Sequence, residues 1–275
     1  MNPTIPTIAI SSALLSCAGA QTVSLSPLAD ATLYQSASGD AANGAGEYLF
    51  SGTTLRENAS RRALLRFDLS MIPPTASIES IRLDVFASRV QAGVFISTLR
   101  AVSTRWTEGP TNPTGEEGQG DAPLAGDCTW IHASHPISEW NTPGGDTDAA
   151  LTTVAIDAVG PYSFPSTAAF VEAARRWLES PQLNFGLMIL GDESTNGTAK
   201  RFDSRSNPIL ANRPRLVVDY RCPADFNHDS FINADDYDAF ASAFDPGALD
   251  ADINADGFVN ADDFDRFAES FEGGC

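Results

Sequence analysis

The sequence predicts a mainly β protein: a jelly-roll-like β-sandwich with one helix, followed by a small C-terminal α module built on two repeated loops. Three observations carry this expectation. Short apolar, alternating or β-branched runs recur between turn-rich segments over residues 21–221, without βαβ alternation. One stretch of that region has helical rather than strand periodicity. Residues 222–275 then repeat a pattern of oxygen-bearing side chains at cation-loop spacing. A chain of 275 residues, 43% apolar and 9% aromatic, has material for a real core and room for two domains.

The first twenty residues, MNPTIPTIAISSALLSCAGA, hold no charged side chain and end in Ala18-Gly19-Ala20. Residues 1–20 read as a secretory signal peptide cleaved before Gln21, with lipidation at Cys17 as the alternative. Both readings predict a secreted or cell-surface protein. No other apolar stretch approaches the ~18 residues of a membrane span.

Strands are predicted at Thr22–Leu25, Tyr48–Phe50, Ala63–Asp68, Ile81–Phe86, Val94–Ala101, Thr153–Ile156, Phe185–Ile189 and Leu216–Tyr220. Turn chemistry separates them, as at Pro73-Pro74 and Thr142-Pro143-Gly144-Gly145. The helix follows Ser166 or Thr167 as N-cap, with an apolar face of Phe170, Ala174, Trp177 and Leu178 and a Glu172–Arg176 pair.

Charge divides the chain unevenly. The formal net charge is −19, and residues 222–275 hold fourteen Asp and Glu against one Arg. Such acidity argues against nucleic acid, whose phosphates require Lys and Arg. Two copies of one motif, DFNHDSFINADDYDAFASAF from Asp225 and DINADGFVNADDFDRFAESF from Asp252, account for the regularity. Side-chain oxygens fall at loop positions 1, 3, 5, 9 and 12: Asp225, Asn227, Asp229, Asn233 and Asp236, then Asp252, Asn254, Asp256, Asn260 and Asp263. With the Phe231 and Phe258 carbonyls at position 7, this is the hard-oxygen set of an EF-hand-like calcium loop. Position 6 demands a sharp turn, which Gly257 supplies in the second loop. Ser230 replaces it in the first, where a left-handed backbone costs a non-Gly residue roughly 1–2 kcal/mol, so the first site should be weaker. Amphipathic helices follow, with Tyr237, Phe240 and Phe244 on one and Phe264, Phe267 and Phe271 on the other. In an oxidising compartment Cys222 and Cys275, which flank the segment, are the expected disulfide, worth roughly 4 kcal/mol; Cys128 is left over and reads as buried.

This loop–helix, linker, loop–helix order, opened by Cys222-Pro223-Ala224-Asp225 and closed by Gly274-Cys275, resembles the dockerin family, in particular the GC-type dockerins of planctomycete secreted proteins. The resemblance covers residues 222–275 and implies calcium-dependent folding and docking to a cohesin-like or cell-surface protein. Loop positions 10 and 11 depart from the Ser/Thr pairs of the best-known members, being Ala234-Asp235 and Ala261-Asp262.

Residues 21–221 resemble the DNRLRE (disaggregatase-related) domains, which are grouped with carbohydrate-binding modules. The matching residues are Ala29–Leu33, Asn43–Gly46, the run RRALLRFDLSMIPPTASIESIRLDVF from Arg61 to Phe86, Trp106–Gly109, Cys128–Trp130, Trp140 with Gly144–Asp146, the helix with Trp177, Leu190–Glu193, Arg201–Arg205 and Arg213–Leu216. A secreted β-sandwich with polysaccharide-binding roles is what this implies.

Polysaccharide recognition needs aromatic faces for pyranose rings and polar groups for hydroxyls. Trp106, Trp130, Trp140 and Tyr162 are candidates for the first, although a core or strand-end packing role is the commoner one for each Trp. Arg201 and Arg205 are candidates for gripping a carboxylate, with a structural ion pair as the plainer alternative. A glycosidase would need paired carboxylates, for which Glu108, Glu116, Glu117, Asp121 and Asp127 qualify by type alone. Asp146 with Asp148 is a candidate for a further calcium in the sandwich. His132 and His135 stand three apart, which in a strand or loop sets them on opposite faces and disfavours a shared metal. No G-x-S-x-G, P-loop or Rossmann fingerprint occurs. The expected function is non-catalytic polysaccharide binding; a structural or adhesive surface protein comes second, and a polysaccharide-degrading glycosidase or lyase third.

Overall fold

The computed structural model describes residues 21–55, 59–91, 93–229, 231–254 and 256–273. The expected signal peptide, Cys17, Ser230 and Cys275 lie outside the described residues.

Two antiparallel strand sets build the large domain, and one strand links them. The first set runs β1 (Gln21–Leu25), β13 (Arg215–Arg221), β5 (Ser77–Val90), β12 (Lys200–Asp203), β3 (Tyr48–Thr53), with β10 (Gly160–Phe164) on the other edge of β5. The second runs β2 (Pro27–Tyr34), β4 (Ser60–Phe67), β11 (Leu187–Leu190), β6 (Phe95–Val102), β9 (Thr147–Ile156). A short hairpin of β7 (His132–Ser134) and β8 (Ser138–Glu139) stands apart. The link is β3, which pairs with β12 over Tyr48–Ser51 and with β4 at Gly52 and Thr53. Gly52 makes the corner at φ +94°, and a Cβ there would lie 2.8 Å from the Thr198 carbonyl oxygen, so only glycine fits.

Each predicted strand lies in or overlaps an observed one. Four further elements were not legible: β2, β10, β12 and the β7–β8 hairpin. Pro27 opens β2, Pro161 stands near the start of β10, and three of the four residues of β12 are charged, so each carries a weak strand signature. Helix α1 (Ala168–Glu179) forms as expected, with the Thr167 hydroxyl accepting the Phe170 N–H and Phe170, Ala173, Ala174, Trp177 and Leu178 buried. Its ion pair is Glu172–Arg175 at 3.9 Å, one residue short of the expected Glu172–Arg176.

The main core lies between the two sets. From Ile81 to Ala87 β5 alternates, sending Ile81, Leu83, Val85 and Ala87 inward to meet Leu65, Leu99, Leu187 and Ile189 of the second set, and α1 packs against the same cluster. The outward face of the second set is also buried. Ala31, Leu33, Leu64 and Met188 meet Trp106, Cys128, Trp130 and Trp140 from the long segment 103–146, giving a second core. The C-terminal residues form α2 (Ala234–Phe244) and α3 (Ala261–Gly273) around a small core of their own, Phe240, Ala251 and Phe267, in which the Phe240 and Phe267 rings stack at 4.0 Å.

Candidate functional site

The two acidic repeats fold into closely matching frames. In the first, Asp236 accepts N–H groups from Asn227 at 3.0 Å and Asn233 at 2.9 Å. In the second, Asp263 accepts from Asn254 at 3.1 Å and Asn260 at 2.9 Å. Position 12 thus closes each loop onto positions 3 and 9 by the same two bonds. Asn233 caps α2 in a capping box with Asp236, so the loop and its helix are one continuous unit. Gly257 turns at φ +90°, as position 6 requires, and Asp252 accepts the N–H groups of Asp256 and Gly257.

The donor chemistry of the loops fits a hard cation. Asp236 and Asp263 are fully buried, and neither has an ion-pair partner among the described residues. Every donor position is an oxygen: Asp225, Asn227, Asp229, the Phe231 carbonyl, Asn233 and Asp236, with Asp252, Asn254, Asp256, the Phe258 carbonyl, Asn260 and Asp263 in the second loop. Among the described residues no three His, Cys, Asp or Glu side chains converge as a cage by themselves. Half of each oxygen set is asparagine and main chain, so convergence of carboxylates alone is not what such a loop needs. Cys222 is disulfide-bonded, and the segment after it is tied to α3 by the Ala224 N–H, which donates to the Ser270 hydroxyl. The Phe231 and Phe258 side chains stand 70% and 72% exposed, at the same place in each repeat.

The residues expected to meet sugar lie elsewhere and are engaged. Trp106, Trp130 and Trp140 are buried in the second core. Arg62 covers the Trp130 ring at 4.7 Å and Arg66 the Trp106 ring at 5.5 Å, both from the outward face of β4. Trp106 donates its indole N–H to the Phe185 carbonyl and Trp140 to that of Thr129. No open ring face is left for a pyranose, so packing is the role the structure gives these three. Tyr162 is half-buried and ties the β9–β10 turn, donating to Asp157 at 2.8 Å and accepting from the Ala158 N–H. Arg201 pairs with Glu116 at 2.8 Å and lies over Tyr48 at 3.9 Å; Arg205 grips both oxygens of Glu108. The structural ion pair, not a waiting carboxylate grip, is what both arginines make.

The remaining candidates are likewise tied into loop structure. Glu117 accepts the Glu47 and Tyr48 N–H groups, and Asp127 those of Thr111 and Leu124. Asp146 accepts from Thr104, Asn141 and Thr142, so its oxygens are taken by protein donors where a further calcium was expected. One expectation reverses. The His132 and His135 rings do not diverge; they meet edge to face with centroids 4.7 Å apart, because the chain turns between them after β7.

A cavity of about 420 Å³ was not legible in the sequence. Arg66, Arg105, Trp177, Gln182, Phe185 and Leu28 line it, drawn from β2, β4, α1 and two loops. Neither Arg66 nor Arg105 makes an ion pair among the described residues, and the Arg66 Nε is buried without a hydrogen-bond partner. Burial, then the neighbouring Arg105 charge, lower the Arg66 pKa from its ordinary value. Two guanidinium groups without an ion pair among the described residues, with Asp68 on the same lining, stand out in a chain with 36 acidic and 17 basic residues. Neither the protein-family models nor the curated proteins give a match to this chain.

Proposed function

We propose that this is a secreted or surface-held, non-catalytic modular protein: its β domain binds polysaccharide, and its C-terminal segment is a dockerin-like pair of calcium loops that docks it to a protein partner. The observation that carries this reading is the duplicated frame in which buried Asp236 and Asp263 close two all-oxygen loops with the same pair of hydrogen bonds. Calcium, when bound, supplies the positive charge that these acids otherwise lack. Phe231 and Phe258 support the docking half, since two large apolar side chains exposed at equivalent positions suit a protein interface. For the polysaccharide half, the cavity of Arg66 and Arg105 beside Trp177 and Phe185 is a better candidate than the buried tryptophans: it joins aromatic side chains to two guanidinium groups. A structural or adhesive surface role is the second reading, favoured by that same burial of Trp106, Trp130 and Trp140.

Calorimetric titration of the full chain with calcium, read beside far-UV circular dichroism, tests the carrying observation. Two binding events are expected, at dissociation constants of about 10⁻⁴–10⁻³ M. Chelation should lower the helical signal, and Asp263→Ala should abolish one event. An unchanged helical signal on chelation, with no heat of binding, would remove the calcium reading and the docking reading with it.

A further inference from the structure

We propose that His132, His135 and Glu139 form a site for a divalent transition cation on the β7–β8 hairpin, for which zinc is the probe. The Nδ1 atoms of the two histidines lie 3.5 Å apart. Two imidazole nitrogens on one tetrahedral zinc, each at roughly 2.0–2.1 Å, stand about 3.4 Å from each other. The separation already suits a shared ion.

The surrounding hydrogen bonds prepare one of the two nitrogens as a ligand. Thr129 Oγ1 accepts the N–H groups of Ile131 at 3.2 Å and His132 at 3.0 Å. Its own proton is therefore free to point at His132 Nδ1, 3.1 Å away, which marks that nitrogen as a lone-pair acceptor. His135 Nδ1 stands 3.5 Å from that nitrogen, so a cation between the rings meets one nitrogen of each imidazole. A metal there takes the His132 Nδ1 lone pair, the Thr129 hydroxyl proton turns away from it, and His135 carries its proton on the far ring nitrogen.

The hairpin register supplies a third ligand. His132 stands opposite Glu139, which sets their side chains on the same face. Glu139 is exposed and makes no ion pair among the described residues. Its carboxylate is not converged on the histidines as it stands, so its part in the site requires its side chain to turn toward them. Two imidazoles, one carboxylate and a water make a four-coordinate zinc site with one exchangeable position. Nitrogen ligands separate this site chemically from the all-oxygen acidic loops, which favour calcium. Bound metal would clamp the hairpin whose Ala133 is buried in the second core.

The test is calorimetric titration of zinc into the full chain, with calcium in excess so that the acidic loops are filled. One zinc per chain is expected. H132A and H135A should each weaken binding by at least about tenfold, and E139Q by less. H228A serves as the control, because His228 Nδ1 faces the Asp225 carbonyl in the first acidic loop, and it should leave zinc affinity unchanged. Melting curves establish that each variant folds. Should H132A fail to fold, copper(II) bound to the unmodified chain still decides the matter, since its electron paramagnetic resonance spectrum must show two nitrogen ligands, and one in H135A. Absence of zinc binding, or binding indifferent to both His132 and His135, overturns the site.

Discussion

Asp30 lies 2% exposed on β2, where it accepts the Arg205 backbone N–H at 2.7 Å beside the Glu108–Arg205 ion pair. Burial pushes its carboxyl up to about 7, against the hydrogen bond from Arg205, and the Glu108 charge adds to the rise. The folded chain thus keeps a proton that the unfolded chain releases near pH 4. Stability from this group is complete below that value and is lost as pH rises toward 7. Between pH 5 and 8 the melting temperature of the native chain should fall more steeply than that of Asp30→Asn, whose amide oxygen still accepts from Arg205. The gap at pH 8 is expected to be on the order of a few kcal/mol. Parallel stability profiles for the two proteins would show that Asp30 is ionised in the fold at no cost. At this same scale the sequence was informative about Cys128, which is free and buried, and silent about Asp30, whose environment comes from residues far along the chain.

Among the elements, the segment 103–146 shows best how residue type and role separate. Its tryptophans have the composition of a sugar platform, yet the outward face of β4 carries Arg62, Leu64 and Arg66, and these residues need a cover. Trp106 and Trp130 provide it, with a guanidinium on each ring. Trp106→Ala should therefore destabilise the β domain by roughly 3–5 kcal/mol, read as a lower denaturation midpoint. Polysaccharide retardation of the folded variant should be unaffected. A variant that unfolds at the native midpoint but no longer binds polysaccharide would restore the stacking role. Helix α1 was legible because its cap and apolar face are local; β12 was not, because Lys200, Arg201 and Asp203 are held in a strand by pairing with β3 and β5, not by their own preference.

Across the whole molecule, charge and apolar packing are unevenly divided. The acidic C-terminal residues have their own aromatic core around Phe240 and Phe267, while the β domain encloses the larger cluster with α1. Only in the folded β domain do Arg66 of β4 and Arg105 of the loop after β6 meet over one cavity. Electrophoresis of the full chain through gels containing neutral and acidic polysaccharides should show retardation by at least one polymer, and the Arg66→Ala/Arg105→Ala double variant should lose it. Uniform migration through every gel would favour the structural surface role.

The repeat spacing, the glycine at position 6, the helix cap and the predominance of short strands were all determined by the sequence. Each depends on residues within about one turn or one loop of each other, where backbone geometry and side-chain chemistry are enough. What the tertiary structure alone decided is which polar and aromatic groups face solvent and which face one another. The burial of the tryptophans, the raised carboxyl of Asp30, the Arg66–Arg105 cavity and the meeting of His132 with His135 follow from long-range strand pairing or from a loop path, neither of which hydrophobic periodicity encodes.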